Sequence, residues 1–438
     1  MFAYYLDLAL RSLTRNKMLT ALTIVIIGFG VAASMTTWSL FRAVSGDPIP
    51  RKSAQLFVPQ IDMWGPDAQK ISSGPDKGPP TQLDYADAMA LMRDHRARLQ
   101  SAMYMITPSV VPADPDKHPI SVIGHAVFSE FFPMLDVPFA YGSGWSAADD
   151  ARRAQVAVIS GKLNRQVFGG ADSVGKTLNI EGHDYRVIGV LGDWDPQPRY
   201  YDVVNTGGFF NLEEGVLVPF NTAIAAGMPN NGNTNCFRAQ AQNGFVGLQR
   251  SSCIWIAYMA QLDGAAAVQR YRNYLAGFAR QRYPAWPPNV RLRGLMAWLD
   301  YLHVVPPDTK VSLLVALGLL LVCLVNTAGL LLAKFMRRSG EIGVRRALGA
   351  PRSAIRAQFL TEGAMVGLAG GVLGLLLTWV GIAGVGLVMP KDIADLAHLD
   401  RSLLLTTLAV AIMATLLAAL YPTWRAARVQ PAWQLKAN

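Results

Sequence analysis

The chain has 438 residues, of which 51% are hydrophobic and only 16% are charged, and its formal net charge is +10. A soluble domain has nearer a quarter of charged residues, so this composition excludes an ordinary soluble protein and favours a membrane protein. A positive net charge can also indicate nucleic-acid binding. The basic residues lie beside the membrane segments, however, which favours another explanation.

Four stretches without a charged residue are long enough to cross a membrane. Each reaches or exceeds the ~20 residues that a helix needs to traverse a ~30 Å hydrocarbon core. They are Met18–Phe41, Val311–Ala333, Gly363–Pro390 and Ser402–Trp424. The first could instead be a cleaved signal peptide, but its apolar run exceeds the ~7–15 residues typical of such a signal. We therefore predict four transmembrane helices.

The charges beside these stretches predict the topology. Thirteen basic and three acidic residues lie before the first stretch, between the second and third, and after the fourth. The surplus of basic residues in these three segments equals the whole net charge of +10. Residues 44–310 hold 24 basic and 24 acidic side chains and therefore contribute no net charge. By the positive-inside rule, both termini and residues 334–362 are cytoplasmic, and residues 44–310 lie outside. Membrane insertion and anionic lipid explain these basic residues better than nucleic acid does.

The predicted fold is a membrane α-helical protein with a large α+β extracytoplasmic domain inserted between the first two transmembrane helices. Leu6, Leu10 and Leu13 recur at helical spacing, so the N-terminus is predicted to be an amphipathic helix on the inner membrane surface. The predicted segments are this helix at 1–17, TM1 at 18–43, the external domain at 44–310, TM2 at 311–333, a cytoplasmic loop at 334–362, TM3 at 363–390, a short periplasmic loop at 391–401, TM4 at 402–424 and a cytoplasmic tail at 425–438.

The external segment mixes strand-like and helical patterns, which is typical of an α+β domain. The predicted strands are 120–128, 155–160, 177–180 and 185–191, with a hairpin turn at 181–184. Helices are predicted over 162–168 and 265–282, and a further helix is predicted to follow Thr81 as its N-cap and to run through Tyr85 to Leu99. Residues 192–255, rich in glycine, asparagine and proline, predict only a long-looped subdomain.

Two of the three cysteines lie in this external segment. Cys236 and Cys253 are 17 positions apart and would form a disulfide in an oxidising compartment. Two free thiols remain the alternative, because spacing alone does not show that the residues meet. Cys323 lies within TM2 and is interpreted as a small apolar packing residue.

Residues 170-GADSVGKT-177 match the phosphate-binding pattern G-x-x-x-x-G-K-[ST] at every fixed position. Such a P-loop follows a buried parallel strand and opens a helix, whose N–H groups then face the phosphates. Here a helix is predicted before the motif and a strand after it. The topology also places the motif on the outer side of the membrane. ATP is scarce in that compartment. We interpret the match as accidental, with Lys176 exposed or on an edge strand.

No other pattern predicts catalysis or metal binding. The six histidines are scattered without partners at metal-ligand spacing, and no nucleophile signature such as G-x-S-x-G stands out. Asp193 and Asp195 flank Trp194 and could form an acidic pair, but we favour a solvated loop as the explanation. We expect neither enzymatic activity nor a bound cofactor in this chain.

The cytoplasmic loop is the most informative stretch. In 334-KFMRRSGEIGVRRALGAPRSAIRAQFLTEG-363 apolar side chains stand among the arginines, and Gly349-Ala350-Pro351 interrupts the helical pattern. The apolar residues are Ile342, Leu348, Ile355 and Phe359. The pattern predicts a short helix, a turn and a second helix that continues into TM3. Such an element can dock on a soluble partner, although a loop used only for membrane topology would carry the same arginines.

Residues 341-EIGVRRALGAPRSAI-355 resemble the cytoplasmic loop of permeases in the MacB/FtsX superfamily of ABC transporters. Three more stretches resemble the first helix, the MacB-like periplasmic core domain and the exit from the last helix of that superfamily. They are 9-ALRSLTRNKMLTALTIVIIGFGVA-32, 156-VAVISGKLNRQVFGGADSVGKTLNIEGHDYRVIGVL-191 and 420-LYPTWRAARVQPAWQLK-436. Together they span nearly the whole chain in the expected order, and residues 192–300 show the resemblance least.

The resemblance implies partners and site residues. It implies a separate ATPase subunit that binds ATP–Mg, because only about 17 residues precede TM1. It implies a homodimer, or a heterodimer with a related permease, in the bacterial inner membrane, with a membrane-fusion adaptor and an outer-membrane channel as further partners. The residues that it implies contact the ATPase are Gly340, Glu341, Arg345, Arg346, Gly349, Ala350 and Pro351.

Three functions remain open from the sequence. The leading one is export of peptide, antibiotic or lipid-like substrates by mechanotransmission, in which ATPase closure moves the helices and the external domains. The second is an FtsX-like regulator that activates a periplasmic hydrolase without transport, although such chains have a smaller external domain. The third is a receptor or assembly protein without ATPase coupling. The interior of the predicted spans contains no charged residue, and Asn326 is the most polar residue of TM2. Because a polar path through the membrane usually displays ionisable residues, we expect no such path for the substrate.

Overall fold

A computed structural model describes residues 8, 11–12, 16–69, 78–112, 118–205, 214–305, 307–388 and 401–428. The chain divides into two compact units, one formed by Met1–Gly46 with Val305–Asn438 and the other by Asp47–Val304. The second unit is therefore an insertion in the first, as the charge pattern predicted. The predicted N-terminal helix, periplasmic loop and tail fall mostly outside the described residues.

The helices and strands are numbered here in chain order. The helices are α1 (Lys17–Ser45), α2 (Pro66–Gln69), α3 (Tyr85–Asp94), α4 (Phe131–Met134), α5 (Ala147–Ala151), α6 (Gly161–Phe168), α7 (Phe220–Ala225), α8 (Gly244–Gln249), α9 (Gly264–Arg282), α10 (Leu295–Tyr301), α11 (Pro307–Met336), α12 (Ser339–Ala347), α13 (Arg352–Val388) and α14 (Arg401–Ala427). The strands are β1 (Leu56–Ile61), β2 (Leu99–Ile106), β3 (Ser109–Val111), β4 (Ile120–Ser121), β5 (Gly124–Val127), β6 (Phe139–Gly142), β7 (Val156–Ile159), β8 (Thr177–Ile180), β9 (His183–Leu191), β10 (Val216–Pro219), β11 (Ala257–Gln261) and β12 (Val290–Gly294).

Among the described residues, four helices are long and apolar enough to cross a membrane: α1, α11, α13 and α14. Small residues let these helices approach closely, as in other membrane bundles. A Cβ on Gly30 of α1 would lie 2.8 Å from the side chain of Cys323 on α11. A Cβ on Gly370 of α13 would likewise lie 2.8 Å from Ile27. Cys323 is thus a buried packing residue, as the sequence indicated.

The inserted unit is built on one mixed sheet with the strand order β12-β1-β11-β2-β5-β10-β7-β9-β8-β3-β4, and β6 pairs with β9. The pairs β10–β5 and β7–β9 are parallel, and the other neighbours are antiparallel. Aromatic side chains fill the core, where the ring of Tyr104 meets those of Phe220 and Trp255 edge-on at 5.2 and 5.0 Å between centroids. This packing gives the α+β domain a core of its own.

The structure confirms most of the predicted elements between 155 and 191. Strands β7, β8 and β9 and helix α6 are present, as is the helix predicted over 265–282. Ile180 lies opposite His183, so the hairpin turn consists of Glu181 and Gly182 alone, both with positive φ. The predicted strand 120–128 is broken into β4 and β5.

One expectation for the external segment was wrong, namely the bounds of the helix after Thr81. Thr81 is not the N-cap of α3, because Asp84 holds that position and its side chain accepts a 2.8 Å hydrogen bond from the backbone N of Asp87. The helix ends at Asp94, where His95 adopts a left-handed conformation, and Leu99 opens β2. Within residues 192–255, for which the sequence predicted long loops and no further detail, the structure contains the short elements β10, α7 and α8. Each of these is too short for its periodicity to be recognised.

A disulfide joins Cys236 and Cys253, whose Cα atoms lie 4.3 Å apart. The neighbouring residues Asn235 and Ile254 exchange two backbone hydrogen bonds of 3.0 and 2.9 Å. The covalent bond therefore fastens an irregular stretch to the chain that precedes β11. Of the two alternatives left open by the sequence, the structure contains the disulfide.

Candidate functional site

The loop between the second and third membrane-crossing helices folds as a short helix, a turn and a long helix. Helix α12 ends at Ala347, and α13 begins at Arg352, one residue after Pro351. Gly349 has a φ of +95°, a conformation that side chains with a Cβ rarely adopt. Its N–H donates to the carbonyl of Arg346, and the N–H of Ala350 donates to that of Arg345. The Gly349-Ala350-Pro351 turn thus fixes the bend that the sequence predicted.

An apolar cluster holds this element against the long helices. Ile342, Ile355 and Phe359 are buried with Phe335, and the two phenylalanine rings lie 4.1 Å apart. Leu348, which the sequence grouped with these packing residues, is instead 83% exposed. The side chain one turn earlier, Val344, is 53% exposed. Residues four apart share a helix face, so the two form one exposed apolar patch, named here the α12 tip.

The charged residues of the element bind mainly one another. Arg345 donates to Glu341 at 2.8 Å and to Gln358 of α13 at 2.9 Å. Arg346 donates to the carbonyl of Ala350 at 3.4 Å. The predicted ATPase contacts therefore include residues that shape the bend, and they do not include the two residues of the α12 tip. A groove of about 500 Å³ adjoins the turn and is lined by Leu8, Arg345, Leu348, Gly349, Ala350, Ala354, Ile355 and Gln358.

A buried polar cluster ties four segments of the chain together next to α12. Glu362 of α13 is 0% exposed and accepts from Lys334 of α11 at 2.6 Å and from Ser12 at 2.7 Å. Lys334, 1% exposed, also donates to Thr20 of α1 at 2.9 Å. Arg338 donates to Ser12 at 2.7 Å and approaches Glu362 at 3.4 Å. We call these five residues the Glu362 cluster.

Sequence reasoning missed the Glu362 cluster because it counted Lys334, Arg338 and Glu362 as loop charges. Helices α11 and α13 extend beyond the charge-free runs and include Lys334 and Glu362. One signal was present in the sequence: Lys334 directly follows the second charge-free run, and Glu362 directly precedes the third. Buried ion pairs lose several kcal/mol of hydration per ion, so such a pair is retained only where both partners are held in place.

The residues of the P-loop match form a turn between a helix and a strand. Helix α6 ends at Phe168 and β8 begins at Thr177, and the glycines at 169, 170 and 175 have positive φ. The ammonium of Lys176 lies 5.2 Å from the centroid of the Phe168 ring. This order of elements is the reverse of a P-loop, in which a helix follows the glycines. The interpretation of the match as accidental agrees with this geometry.

Replacing Lys176 by alanine is therefore expected to leave nucleotide binding by the chain and its complexes unchanged. The loss of the exposed cation–π contact should cost no more than about 1 kcal/mol of unfolding free energy. Thermal unfolding and binding of a fluorescent ATP analogue measure the two quantities. A Lys176→Ala variant that lost ATP binding would contradict the assignment of this turn.

A buried histidine in the external unit is the second charged centre that the sequence did not reveal. His125 of β5 is fully buried, with Nδ1 2.9 Å from Glu214 and Nε2 3.1 Å from Asp202. The hydroxyl of Tyr201 donates to Glu214 at 2.7 Å, and Arg199 lies 3.4 Å from the same carboxylate. Burial disfavours the charged imidazole, but the two carboxylates outweigh it and raise the pKa of His125 to about 9.

The pH dependence of stability tests this cluster. Because the folded pKa of about 9 exceeds the usual 6.5, the stabilisation is complete below pH 6.5 and is lost as the pH rises to 9. The unfolding free energy should fall by up to ~3 kcal/mol over that interval. Thermal unfolding from pH 6 to 9.5 measures it, and His125→Gln should remove the slope whereas the exposed His183→Gln should not. Equal slopes in all three proteins would refute the charged state of His125.

The family model of the MacB-like periplasmic core domain matches residues 20–274, which is more than half of the chain. That of the FtsX-like permease C-terminal region matches residues 313–431. The chain belongs to the MacB/FtsX superfamily of ABC permeases. Four membrane-crossing helices with a mixed α/β domain between the first and second form the MacB-like fold, and they fit a multi-pass protein of the inner membrane.

The relatives within this superfamily are distant in sequence. The chain is 25% identical over 439 aligned residues to the macrolide export ATP-binding/permease protein MacB of Hahella chejuensis, covering 98% of this chain and 59% of that protein. It is 27% identical over 255 residues to the pyoverdine export ATP-binding/permease protein PvdT of Pseudomonas syringae, covering 57% and 33%. The chain thus spans less than two thirds of the length of either relative.

A solved structure is similar to part of this chain. The periplasmic region of MacB from Actinobacillus actinomycetemcomitans matches with a TM-score of 0.36 and 11% identity. The match covers 56% of this chain and 92% of the solved chain.

Among the residues that the structure describes, no group of three or more histidine, cysteine, aspartate or glutamate side chains could hold a metal ion. His125 does not provide a ligand, because both of its ring nitrogens contact carboxylates. The candidate site of this superfamily member is therefore the α12 tip with the Glu362 cluster beneath it. The α12 tip is exposed and apolar, and the buried pair of Lys334 with Glu362 joins α11 to α13.

Proposed function

We propose that this chain is the permease subunit of an ABC-type exporter that takes its energy from a separate ATPase subunit. The observation that carries the proposal is an exposed apolar tip on α12, a short helix whose buried Ile342 packs against the long helices. The superfamily supports it, as do the relatives named as ATP-binding/permease proteins. Mg–ATP is bound by the ATPase, and this chain binds no cofactor.

The proposed mechanism follows the contacts outward from α12. Closure of two ATPase subunits displaces the α12 tip of each permease. Arg345, bound to Glu341 and Gln358, carries the displacement into α13. The pair of Lys334 with Glu362 carries it into α11. Thr20 belongs to the same cluster and lies on α1. Because α1 leads into the inserted unit and α11 leads out of it, both connections of the external domain move.

The substrate is proposed to be handled outside the membrane or at its outer face. In the sequences of the four membrane-crossing helices, charged residues occur only toward the ends, such as Arg42 in α1, Lys334 in α11 and Glu362 in α13. A polar path through the bilayer would place such residues at mid-span. Peptides, antibiotics and lipid-like molecules suit this route. We propose a dimer, homomeric or with a related permease, with an adaptor and an outer-membrane channel as further partners.

Reconstitution with the ATPase encoded nearest to this gene tests the proposal. We expect ATP turnover in proteoliposomes to rise when a macrolide, a peptide or a lipid substrate is supplied on the side of the external domain. Activation of a periplasmic hydrolase without substrate movement would favour the FtsX-like regulator instead. Failure of the chain to bind any such ATPase would refute coupling altogether.

A further inference from the structure

A groove of about 560 Å³ lies between α13 and α14, close to the point where α13 emerges from the turn after α12. Its lining residues are Arg356, Leu360, Leu420, Tyr421, Thr423 and Trp424. The walls are mainly apolar, and Arg356 is the one charged side chain among these six. A groove of this composition suits a molecule with an apolar chain and an anionic end.

Aromatic side chains place the groove at the level of the lipid headgroups. The rings of Tyr421 and Trp424 are stacked with centroids 6.4 Å apart, and both side chains are exposed. The guanidinium of Arg428 lies 3.8 Å above the Trp424 ring. Tryptophan and tyrosine are enriched at both membrane–water interfaces, and arginine beside them meets lipid phosphates.

The charge around the groove favours an anion. Glu362 is the one acidic residue in the sequence of α13, and it is buried against Lys334. The sequence of α14 contains no acidic residue and carries Arg425 near the groove end. No other carboxylate of α13 or α14 is available to neutralise Arg356. The guanidinium of Arg356 can therefore form a charge-assisted hydrogen bond with the anionic group of a ligand.

Thr423 provides an independent sign of a ligand. Its side chain lines the groove and is only 3% exposed, yet its hydroxyl has no hydrogen-bond partner among the residues that the structure describes. A buried hydroxyl without a partner is unfavourable, because it has lost its hydrogen bonds to water and has not replaced them. An ester or phosphate oxygen in the groove would accept this hydrogen bond.

We propose that the groove is a binding site for an anionic phospholipid. The lipid phosphate binds Arg356, an ester or phosphate oxygen accepts from Thr423, and an acyl chain lies along Leu360 and Leu420. The site is distinct from the α12 tip and does not depend on ATPase coupling. A lipid bound at this site lies against the first turns of α13, which follow α12 and the Gly349-Ala350-Pro351 turn in the chain.

Native mass spectrometry of the full chain in detergent, titrated with phosphatidylglycerol or phosphatidylcholine, tests the site. We expect phosphatidylglycerol to bind more tightly than phosphatidylcholine. Arg356→Ala should weaken phosphatidylglycerol binding about fivefold, the effect of one arginine at a membrane surface. The matched control Arg401→Ala removes the same charge from the other end of α14 and should leave binding unchanged. Thr423→Val, which keeps the side-chain shape, should weaken it by a smaller factor.

Three results would overturn the proposal. Equal binding of the two lipids by the wild-type chain would show that no anion is recognised. Equal losses in Arg356→Ala and Arg401→Ala would show that net charge alone attracts the lipid. If Trp424→Ala dissociated a dimer and left the lipid count unchanged, the occupant of the groove would be a second copy of the chain.

Discussion

Replacing Glu362 by alanine is expected to lower the unfolding free energy of the membrane-helix unit by about 3–5 kcal/mol. Lys334 would then be an unpaired ammonium with 1% exposure, and Ser12 would lose its acceptor. Denaturant titration of the purified chain, followed by tryptophan fluorescence, measures the change. The control Glu341→Ala removes a half-buried carboxylate from α12 and should cost less than about 1 kcal/mol, because solvent screens that pair.

A double replacement separates stability from transmission. In Lys334→Met/Glu362→Leu both charges are absent, so no buried charge lacks a partner and most of the stability should return. The variant still lacks the connection from α13 to Ser12 and Arg338. We therefore expect ATPase binding to persist and substrate-stimulated ATP turnover to stay low. Full recovery of stimulated turnover would show that the Glu362 cluster serves stability alone.

Replacing Leu348 by aspartate is expected to reduce co-purification of the ATPase at least tenfold without lowering the stability of the chain. Leu348 is 83% exposed, so it contributes almost nothing to the core of the free protein. At an interface, however, an apolar anchor replaced by a charge loses its contact and must also be desolvated. Quantitative co-purification and the thermal unfolding of the free chain measure the two effects.

The matched control is Val246→Asp, which places the same charge on an exposed apolar residue of the external unit. It should leave ATPase binding unchanged. Arg345→Glu is a less selective test than Leu348→Asp, since Arg345 binds both Glu341 and Gln358 and its reversal would also distort the bend. Normal ATPase recovery with Leu348→Asp would exclude the α12 tip from the contact.

Local patterns in the sequence were sufficient for the long helices and for the region from β7 to β9. Charge-free runs mark membrane helices because a charge inside the bilayer is costly. The turn of Glu181 and Gly182 between two alternating strands marks the hairpin, since both residues need positive φ. The bend at Gly349 was predictable for the same reason.

Contacts between residues far apart in the chain were not predictable. Glu362 and Ser12 are separated by 350 positions, and His125 lies 77 and 89 positions from Asp202 and Glu214. No local spacing reports such pairs. The exposure of Leu348 could not be inferred either, because an apolar residue in an amphipathic element suits a core and a docking surface equally.

Cysteine labelling in intact cells tests the central claim, that α12 and the inserted unit lie on opposite sides of the membrane. The native cysteines interfere little, because Cys236 and Cys253 are bonded and Cys323 is buried. With a membrane-impermeant maleimide, Gly182→Cys in the exposed hairpin should be labelled at once, and Leu348→Cys only after the inner membrane is permeabilised. Labelling of both residues before permeabilisation, or of neither, would contradict the account.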